Sequence, residues 1–248
     1  MKIIMLGTGD AFSSGGRANT SIFLDGTYKI LLDCSPHAVY SLRKCGYSPN
    51  QMQYVFITHL HGDHVGGLPF LLLNLIHKEK GKIIVSGPPG LSDLVNSVYS
   101  ELFGQTNFTD YLDIRHLNKN FPFQIDYMQG SHSILDFIYK IEMDGIKIVY
   151  TGDTRKVDLS EFAFQADYLF HEAAEFDEKN AEKSGHTTPL QAAKIANEAQ
   201  VKNLVLIHRP EFDTGLINKI KGSITKLTDW ASKKLRKYQS RCYLDRKT

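Results

Sequence analysis

The chain of 248 residues is long enough to form one substantial domain with a large buried core. Its 42% hydrophobic and 23% charged residues are typical of a soluble globular protein. The formal net charge of only +2 argues against a general electrostatic attraction to nucleic acid. Positive charge is concentrated at the C-terminal end, where residues 226–248 contain eight Lys or Arg and two Asp. We interpret this basic segment as a solvated face of a helix.

Nothing in the sequence predicts export or membrane insertion. The apolar run 3–6 is shorter than the core of a signal peptide, and the apolar block 68–76 is too short to span a bilayer. The cysteines are odd in number and lack Cys-x-x-Cys spacing, which favours reduced thiols. We therefore predict a cytoplasmic protein without a membrane partner.

Strands alternate with helices along the chain, which predicts a single α/β domain over residues 1–248. In the first half we predict strands at 2–7, 21–25, 28–34, 54–57 and 83–87, and helices at 36–45, 68–80 and 91–104. Residues 105–122 carry few signals. In the second half we predict strands at 124–132, 137–153, 167–173 and 203–208, a loop at 174–186, and helices at 188–201 and 225–238. Asp144-Gly145 is predicted as a hairpin turn within 137–153.

Three imidazoles and a carboxylate follow the predicted strand at 54–57. They are His59, His61, Asp63 and His64, within a glycine-rich turn. Imidazole nitrogen and carboxylate oxygen are ligands that suit zinc and similar divalent metals. His59 and His61 can converge on one ion, and Asp63 and His64 can face a second. A surface loop without metal is the alternative, but four ligand types at the end of a buried strand argue against it.

Three more candidate ligands each lie at the carboxyl end of a predicted strand: His132, Asp153 and His208. Open sheets usually place functional residues at the carboxyl ends of their strands. Any one of the three alone is more often a surface residue.

The pattern His-x-His-x-Asp-His at 59–64 resembles the signature of the metallo-β-lactamase superfamily. This resemblance implies a metallo-β-lactamase-type four-layer αββα sandwich with its site along one sheet edge. It also implies two divalent metal ions, zinc in the first place, with manganese or iron as alternatives. The implied ligands are His59, His61 and His132 for one ion and Asp63, His64 and His208 for the other, with Asp153 bridging the two.

Further motifs resemble those of ribonuclease Z. The segments 6–21 and 57–72 resemble its N-terminal loop and core motif, and Gly-Asp-Thr-Arg, His-Glu-Ala and Gly-His-Thr-Thr follow at 152–155, 171–173 and 185–188. This resemblance implies a metal-dependent hydrolase that cleaves phosphodiester bonds by attack of a metal-bound hydroxide. The family's Gly-Glu-Gly-Thr-Gln is replaced here by residues 34–38.

The chain has no room for the long flexible arm with which ribonuclease Z typically grips tRNA. Only 20 residues separate His132 from Asp153, where that arm is inserted. Affinity for a large RNA depends on many phosphate contacts. We therefore expect activity on small or cyclic phosphodiesters and little on intact precursor tRNA. The expected partner is a phosphodiester substrate, RNA or a nucleotide. Hydrolysis of lactones, thioesters or other carboxylic esters, a non-catalytic binding role, and a homodimer are left open.

The resemblance also implies catalytic roles for Asp63, His186 and Glu172. Asp63 would orient the attacking water and accept its proton. His186 would protonate the leaving oxygen, because imidazole titrates near neutrality and a neighbouring carboxylate such as Glu172 raises its pKa. The alternative for His186 is a histidine on a surface loop.

Overall fold

The computed structural model describes residues 1–77, 82–104, 108 and 111–211. They form two compact units. The described residues of the first unit lie within Met1–Gly7 and Ala18–Pro122, and those of the second within Thr8–Arg17 and the chain from Phe123 onward. The single domain predicted over residues 1–248 stays a prediction.

The first unit is built on a six-stranded sheet. Its strands, in their order across the sheet, are β1 (Lys2–Gly7), β2 (Ser21–Asp25), β3 (Lys29–Leu32), β4 (Tyr54–Phe56), β5 (Ile83–Ser86) and β6 (Leu112–Ile114). The first three strands pair antiparallel, whereas β3 to β6 pair parallel. The carboxyl ends of the parallel strands therefore meet at one edge of this sheet.

Helical crossovers connect the parallel strands, as parallel pairing requires. The helices are α1 (Ala38–Lys44), α2 (Gly62–Val65), α3 (Leu68–His77), α4 (Leu91–Leu94) and α5 (Ser100–Phe103). A π-helical segment, Val95–Tyr99, joins α4 to α5. The helix α1 connects β3 to β4, α2 and α3 connect β4 to β5, and α4 and α5 connect β5 to β6.

The core of the first unit surrounds β4. Val55 and Phe56 on this strand, and Ile57 directly after it, have no exposed surface, as expected of a parallel strand covered on both faces. Val55 and Ile57 belong to the same apolar cluster as Leu71 and Leu72 of α3. This packing fixes the end of β4, from which the predicted metal-binding turn begins.

The second unit contains a five-stranded sheet. Its strands are β7 (Gln124–Gln129), β8 (Phe137–Met143), β9 (Ile146–Tyr150), β10 (Tyr168–Glu172) and β11 (Leu204–Ile207), arranged in the order β11-β10-β9-β8-β7. The strands β7 to β9 pair antiparallel and β9 to β11 pair parallel. The helices α6 (Glu178–Ser184) and α7 (Pro189–Glu198) lie between β10 and β11 in the chain. Ala193 and Ile195 of α7 pack in one cluster with Val149 and Leu169.

Most predicted elements are present, and the predicted hairpin turn at Asp144-Gly145 joins β8 to β9. The loop predicted at 174–186 is wrong in part, because it contains α6. Asp177 caps this helix by accepting hydrogen bonds from two backbone N–H groups, and Gly185 ends it at a φ of 90°. An acid before the helix and a glycine after it were the signals to use.

The strand β6 lies in the segment 105–122, for which the sequence carries few signals. Its three residues form a strand by pairing with β5, and such pairing leaves no local sequence pattern. The part of the helix predicted at 68–80 beyond His77, and the helix predicted at 225–238, lie outside the described residues. Within the described part of the chain, no helix combines the length and apolar character needed to cross a membrane.

Candidate metal centre and hydrolytic site

In the first unit, the predicted ligands lie on the turn after β4 and on α2. His59 and His61 precede this helix, and Asp63 and His64 belong to it. His59 and His64 are buried, whereas His61 and Asp63 are half-buried. The Nε2 atom of His59 lies 3.1 Å from Nδ1 of His61, and Nε2 of His64 lies 3.2 Å from Oδ2 of Asp63. The turn therefore brings the four side chains together in the two pairs that the sequence predicts.

A buried carboxylate holds this turn from behind. Asp33 follows β3 with a φ of 54°, a conformation that few residues other than glycine adopt. Its Oδ1 accepts a 2.7 Å hydrogen bond from the backbone N–H of Thr58, and its Oδ2 lies 2.7 Å from Nδ1 of His64. The hydroxyl of Thr58 lies 3.0 Å from Oδ2 of Asp33 and 3.0 Å from Nδ1 of His59.

These contacts determine which nitrogen each histidine offers to a metal. A carboxylate accepts only, so His64 donates from Nδ1 to Asp33. The hydroxyl of Thr58 donates to Asp33 and accepts from Nδ1 of His59. In both histidines Nε2 keeps its lone pair, which is the arrangement that partners behind a metal ligand usually enforce.

In the second unit, His132, Asp153 and His208 each follow a strand, as predicted. They come after β7, β9 and β11 respectively. Oδ2 of Asp153 lies 3.9 Å from Nε2 of His132 and 3.4 Å from Nε2 of His208. One carboxylate thus lies between two imidazoles, as a bridging ligand would.

The backbone of Gly185 approaches His132 closely. Its carbonyl lies 2.8 Å from Nδ1 of His132, so that nitrogen donates and Nε2 keeps its lone pair. A Cβ at residue 185 would lie 2.9 Å from the same Nδ1, and the φ of 90° also favours glycine. Both facts explain why a glycine occupies this position.

His186 and Glu172 form the pair that the sequence predicts. Nδ1 of His186 lies 3.0 Å from Oε1 of Glu172. The ring of His186 stacks on that of His208 with centroids 5.5 Å apart, and its centroid lies 5.1 Å from that of His132. His186 is therefore a neighbour of two predicted ligands within the same unit.

Hydrogen bonding favours the charged state of this pair. Burial alone would lower the pKa of His186, but the hydrogen bond to Glu172 and the charge of that carboxylate raise the pKa to about 8. Burial raises the pKa of Glu172, whereas the hydrogen bond from His186 acts in the opposite direction. The backbone N–H groups of Thr154, Ala174 and Thr187 also donate to Glu172, and donors of this kind favour the carboxylate.

A third buried histidine, His171, precedes Glu172 on β10. Its Nδ1 lies 2.8 Å from the carbonyl oxygen of Glu172, so this nitrogen donates. No hydrogen-bond partner reaches its Nε2 among the described residues. Full burial lowers the pKa of His171 to about 4, although the bond to the carbonyl acts in the opposite direction. A pKa of about 4 keeps His171 neutral in the folded protein near pH 7.

Eight of the nine predicted site residues lie at the end of a strand or in the segment that follows it. The ninth, His186, follows α6. Each unit brings its own members together. Asp33, Thr58 and His171 are not among the residues predicted from the sequence; for Asp33, an acid at the end of a predicted strand was the one available signal. The first unit offers three imidazoles and a carboxylate, and the second offers two imidazoles and a carboxylate; these donor types fit zinc and related divalent metals.

Comparisons with known proteins agree with this site. The family model described as Anti-Pycsar protein Apyc1 matches residues 1–219. The ribonuclease Z of Streptococcus gordonii is 29% identical and aligns over 84% of this chain and 89% of its own length. The structure of human tRNase Z, short form, superposes with a TM-score of 0.76 at 29% identity, over 85% of this chain and 93% of that one. The metallo-β-lactamase fold protein YhfI from Bacillus subtilis gives a TM-score of 0.73 at 23% identity, over 90% and 92%.

The fold and the donor set together define a ribonuclease Z-like, metal-dependent hydrolase of the metallo-β-lactamase fold. The fold class and the family resemblance predicted from the sequence are confirmed. Within this class, the chain belongs to the family of the Anti-Pycsar protein Apyc1.

The buried state of His171 predicts a pH-dependent stability. The unfolded chain binds a proton at this histidine below pH about 6.5, whereas the folded chain does so only near pH 4. Stability therefore falls as the pH drops through this window. When the pH is lowered from about 7.5 to about 5, the free energy of unfolding of the metal-free wild type should fall by roughly 2 kcal/mol more than that of His171→Asn. Urea unfolding measures both. If the stabilities of the two proteins depended on pH in the same way, the pKa of His171 would not be lowered by folding.

Proposed function

We propose that this protein hydrolyses small or cyclic phosphodiesters at two divalent metal ions, with zinc as the resident metal and manganese or iron as alternatives. The observation that carries the proposal is the position of Asp153, whose Oδ2 faces Nε2 of both His132 and His208. The proposed ligands of one ion are His59, His61, His132 and Asp153, and those of the other are Asp63, His64, His208 and Asp153.

Bound divalent metals lower the pKa of water to about 7 and neutralise charge that develops on the phosphate. The remaining chemistry belongs to side chains. The attacking water must lose a proton, and Asp63 is the better acceptor of the two carboxylates. Its side chain is 13% exposed, whereas that of Asp153 is 3% exposed and lies between two imidazoles.

The leaving oxygen must gain a proton, and His186 is the proposed donor. Glu172 occupies its Nδ1, so Nε2 is the nitrogen that remains for the substrate. The side chain of His186 is 18% exposed, whereas Glu172 is fully buried. Glu172 therefore acts on the substrate only through His186, by orienting the ring and stabilising its cation.

Cationic side chains beside His208 favour an anionic substrate. Burial lowers the pKa of Arg209 to about 10, and the charge of Arg17 contributes, yet Arg209 stays a cation at neutral pH. Similarity to ribonuclease Z proteins supports the phosphodiester as the bond that is cleaved.

The chain between His132 and Asp153 supports a small substrate. It contains β8, β9 and the tight turn between them, without an inserted arm. The alignment with the Streptococcus gordonii protein is also longer than the part of this chain that it covers, so that relative carries insertions that this chain lacks. This segment therefore offers a large RNA none of the phosphate contacts that an inserted arm would add.

Two further proposals concern the state of the protein. Cys34 is a free, buried thiol, which supports a reducing cytoplasm; fractionation of the host cell tests this. Tyr40 and Phe70 are 63% and 54% exposed on α1 and α3, which supports binding of a second copy there. Light scattering that gives a monomer would reject the homodimer. The basic segment 226–248 lies outside the described residues.

A parallel screen tests the proposed reaction. We expect hydrolysis of bis(p-nitrophenyl) phosphate and of cyclic nucleotides, little or none of lactones and thioesters, and little processing of precursor tRNA. Asp153→Ala should be inactive throughout and serves as the control for contaminating enzymes. Activity on lactones or thioesters alone would establish the carboxylic-ester alternative. Efficient tRNA processing at low protein concentration would refute the restriction to small substrates.

The purified protein should carry two metal ions per chain. Elemental analysis after purification without chelator measures this. Asp153→Ala should retain neither ion tightly, because the proposed assignment makes this carboxylate a ligand of both. Asp158→Ala is the matched control, since Asp158 is an exposed carboxylate that accepts hydrogen bonds from Ser160 and is not a proposed ligand. Trace metal in the wild type, or two tightly held ions in Asp153→Ala, would refute the ligand assignment.

His186→Ala should keep both ions but lose roughly 10²–10⁴-fold in turnover on substrates with poor leaving groups, the usual contribution of a positioned acid. The loss should shrink for p-nitrophenyl esters, whose leaving group needs little protonation. His116→Ala, an exposed histidine, controls for unspecific effects of removing an imidazole. Equal losses on good and poor leaving groups would leave His186 as a binding residue.

A further inference from the structure

The loop Thr8–Arg17 is fastened to the residues that follow His208. The N–H of Arg209 donates to the carbonyl of Thr8 at 3.1 Å, and Gly9 and Arg209 form an isolated parallel bridge. Nη2 of Arg17 donates to the carbonyls of Arg209, at 2.8 Å, and Pro210. Three successive peptide groups after His208 are thereby held by one loop.

His208 needs such external support. It has a φ of 48°, in the left-handed region, although it is not a glycine. A non-glycine residue in this region is strained and keeps its conformation only where the surroundings impose it. Within β11 the preceding residues are held by strand pairing with β10, whereas the loop holds the backbone on the other side of His208.

The loop is itself well ordered by internal hydrogen bonds. The carboxylate of Asp10 accepts from the backbone N–H of Ser14 at 2.9 Å and from its hydroxyl at 2.6 Å. The carbonyl of Asp10 accepts from the N–H of Ser13, and that of Ser13 from the N–H of Gly16. Arg17 therefore reaches the carbonyls from a fixed base.

Arginine suits this contact chemically. One Nη atom carries two N–H donors in a fixed plane, so it can bind two neighbouring carbonyls at once. A methionine at this position would keep a similar length and lose both donors. A glutamine keeps two N–H donors without the charge.

We propose that Arg17 is a positioning residue for His208, and through His208 for the metal ion that Asp63, His64 and His208 share. The inference rests on the ligand assignment of the proposed function. Arg17 is itself neither a proposed ligand nor a proposed catalytic residue. It keeps the backbone after β11 in the conformation that directs the imidazole of His208 to Asp153. Removing its hydrogen bonds lets the left-handed residue relax, which withdraws one ligand from that ion and none from the other.

Metal binding of Arg17→Met tests this. The zinc-loaded wild type and variant are titrated with a chelator, and the number and affinity of bound ions are measured. The variant should keep one ion at wild-type affinity and bind the other about 10–100-fold more weakly, the usual effect of removing a partner that orients a metal ligand. Arg17→Gln should lie between the variant and the wild type. The absorption spectrum of the cobalt-substituted variant should change for one of two ions.

Controls separate this inference from the function on which it rests. Arg115→Met, which removes an arginine paired with Asp113 in the first unit, should bind both ions like the wild type. Urea unfolding of the metal-free proteins distinguishes a local effect from poor folding; if Arg17→Met does not fold, Arg17→Gln decides by the same titration. A wild type that binds fewer than two ions overturns the ligand assignment and this inference together. Two ions in the wild type, held equally tightly by both Arg17 variants, overturn the inference alone.

Discussion

The buried carboxylate of Asp33 is the constraint on which the predicted metal-binding turn depends. An unpaired charge in this position would be costly, and the backbone N–H and hydroxyl of Thr58 and the ring of His64 are its partners. Because those partners belong to the turn after β4, satisfying the carboxylate also fixes the turn. The same hydrogen bonds select the tautomers of His59 and His64. Folding and ligand presentation in the first unit are therefore one event.

The second unit solves the same problem with backbone groups. The carbonyl of Gly185 holds His132, and the loop Thr8–Arg17 holds the chain after His208. The carboxylate of Asp153 remains between the two imidazoles as the shared charge. A cation at this place offsets a burial that would otherwise be unfavourable, which is why a complete donor set is strong evidence for metal binding.

The pair of Glu172 and His186 divides two tasks between a buried and an accessible group. Glu172 has no contact with solvent and accepts three backbone hydrogen bonds, so it serves as a fixed anion. His186 is partly exposed, and the hydrogen bond to Glu172 and the charge of that anion raise the pKa of its imidazole. The short connection between His132 and Asp153 leaves this site without an inserted arm. These features are the basis of the proposed preference for small anionic substrates.

The sequence by itself determined the ligand types and most elements, because both follow from local patterns. His59, His61, Asp63 and His64 are adjacent in the chain, so their common turn was legible without a structure. The ends of β7, β9 and β11 were predictable from apolar runs, but only the resemblance to a superfamily related His132, Asp153 and His208 to one another. The tertiary structure alone decided the supports: Asp33 behind His64, Gly185 behind His132, and Arg17 behind His208. Asp33 lies 31 positions from His64, and Gly185 lies 53 positions from His132. Arg17 binds the carbonyl of Arg209, the neighbour of His208, from 192 positions away. No local sequence pattern records which distant groups a buried ring will contact.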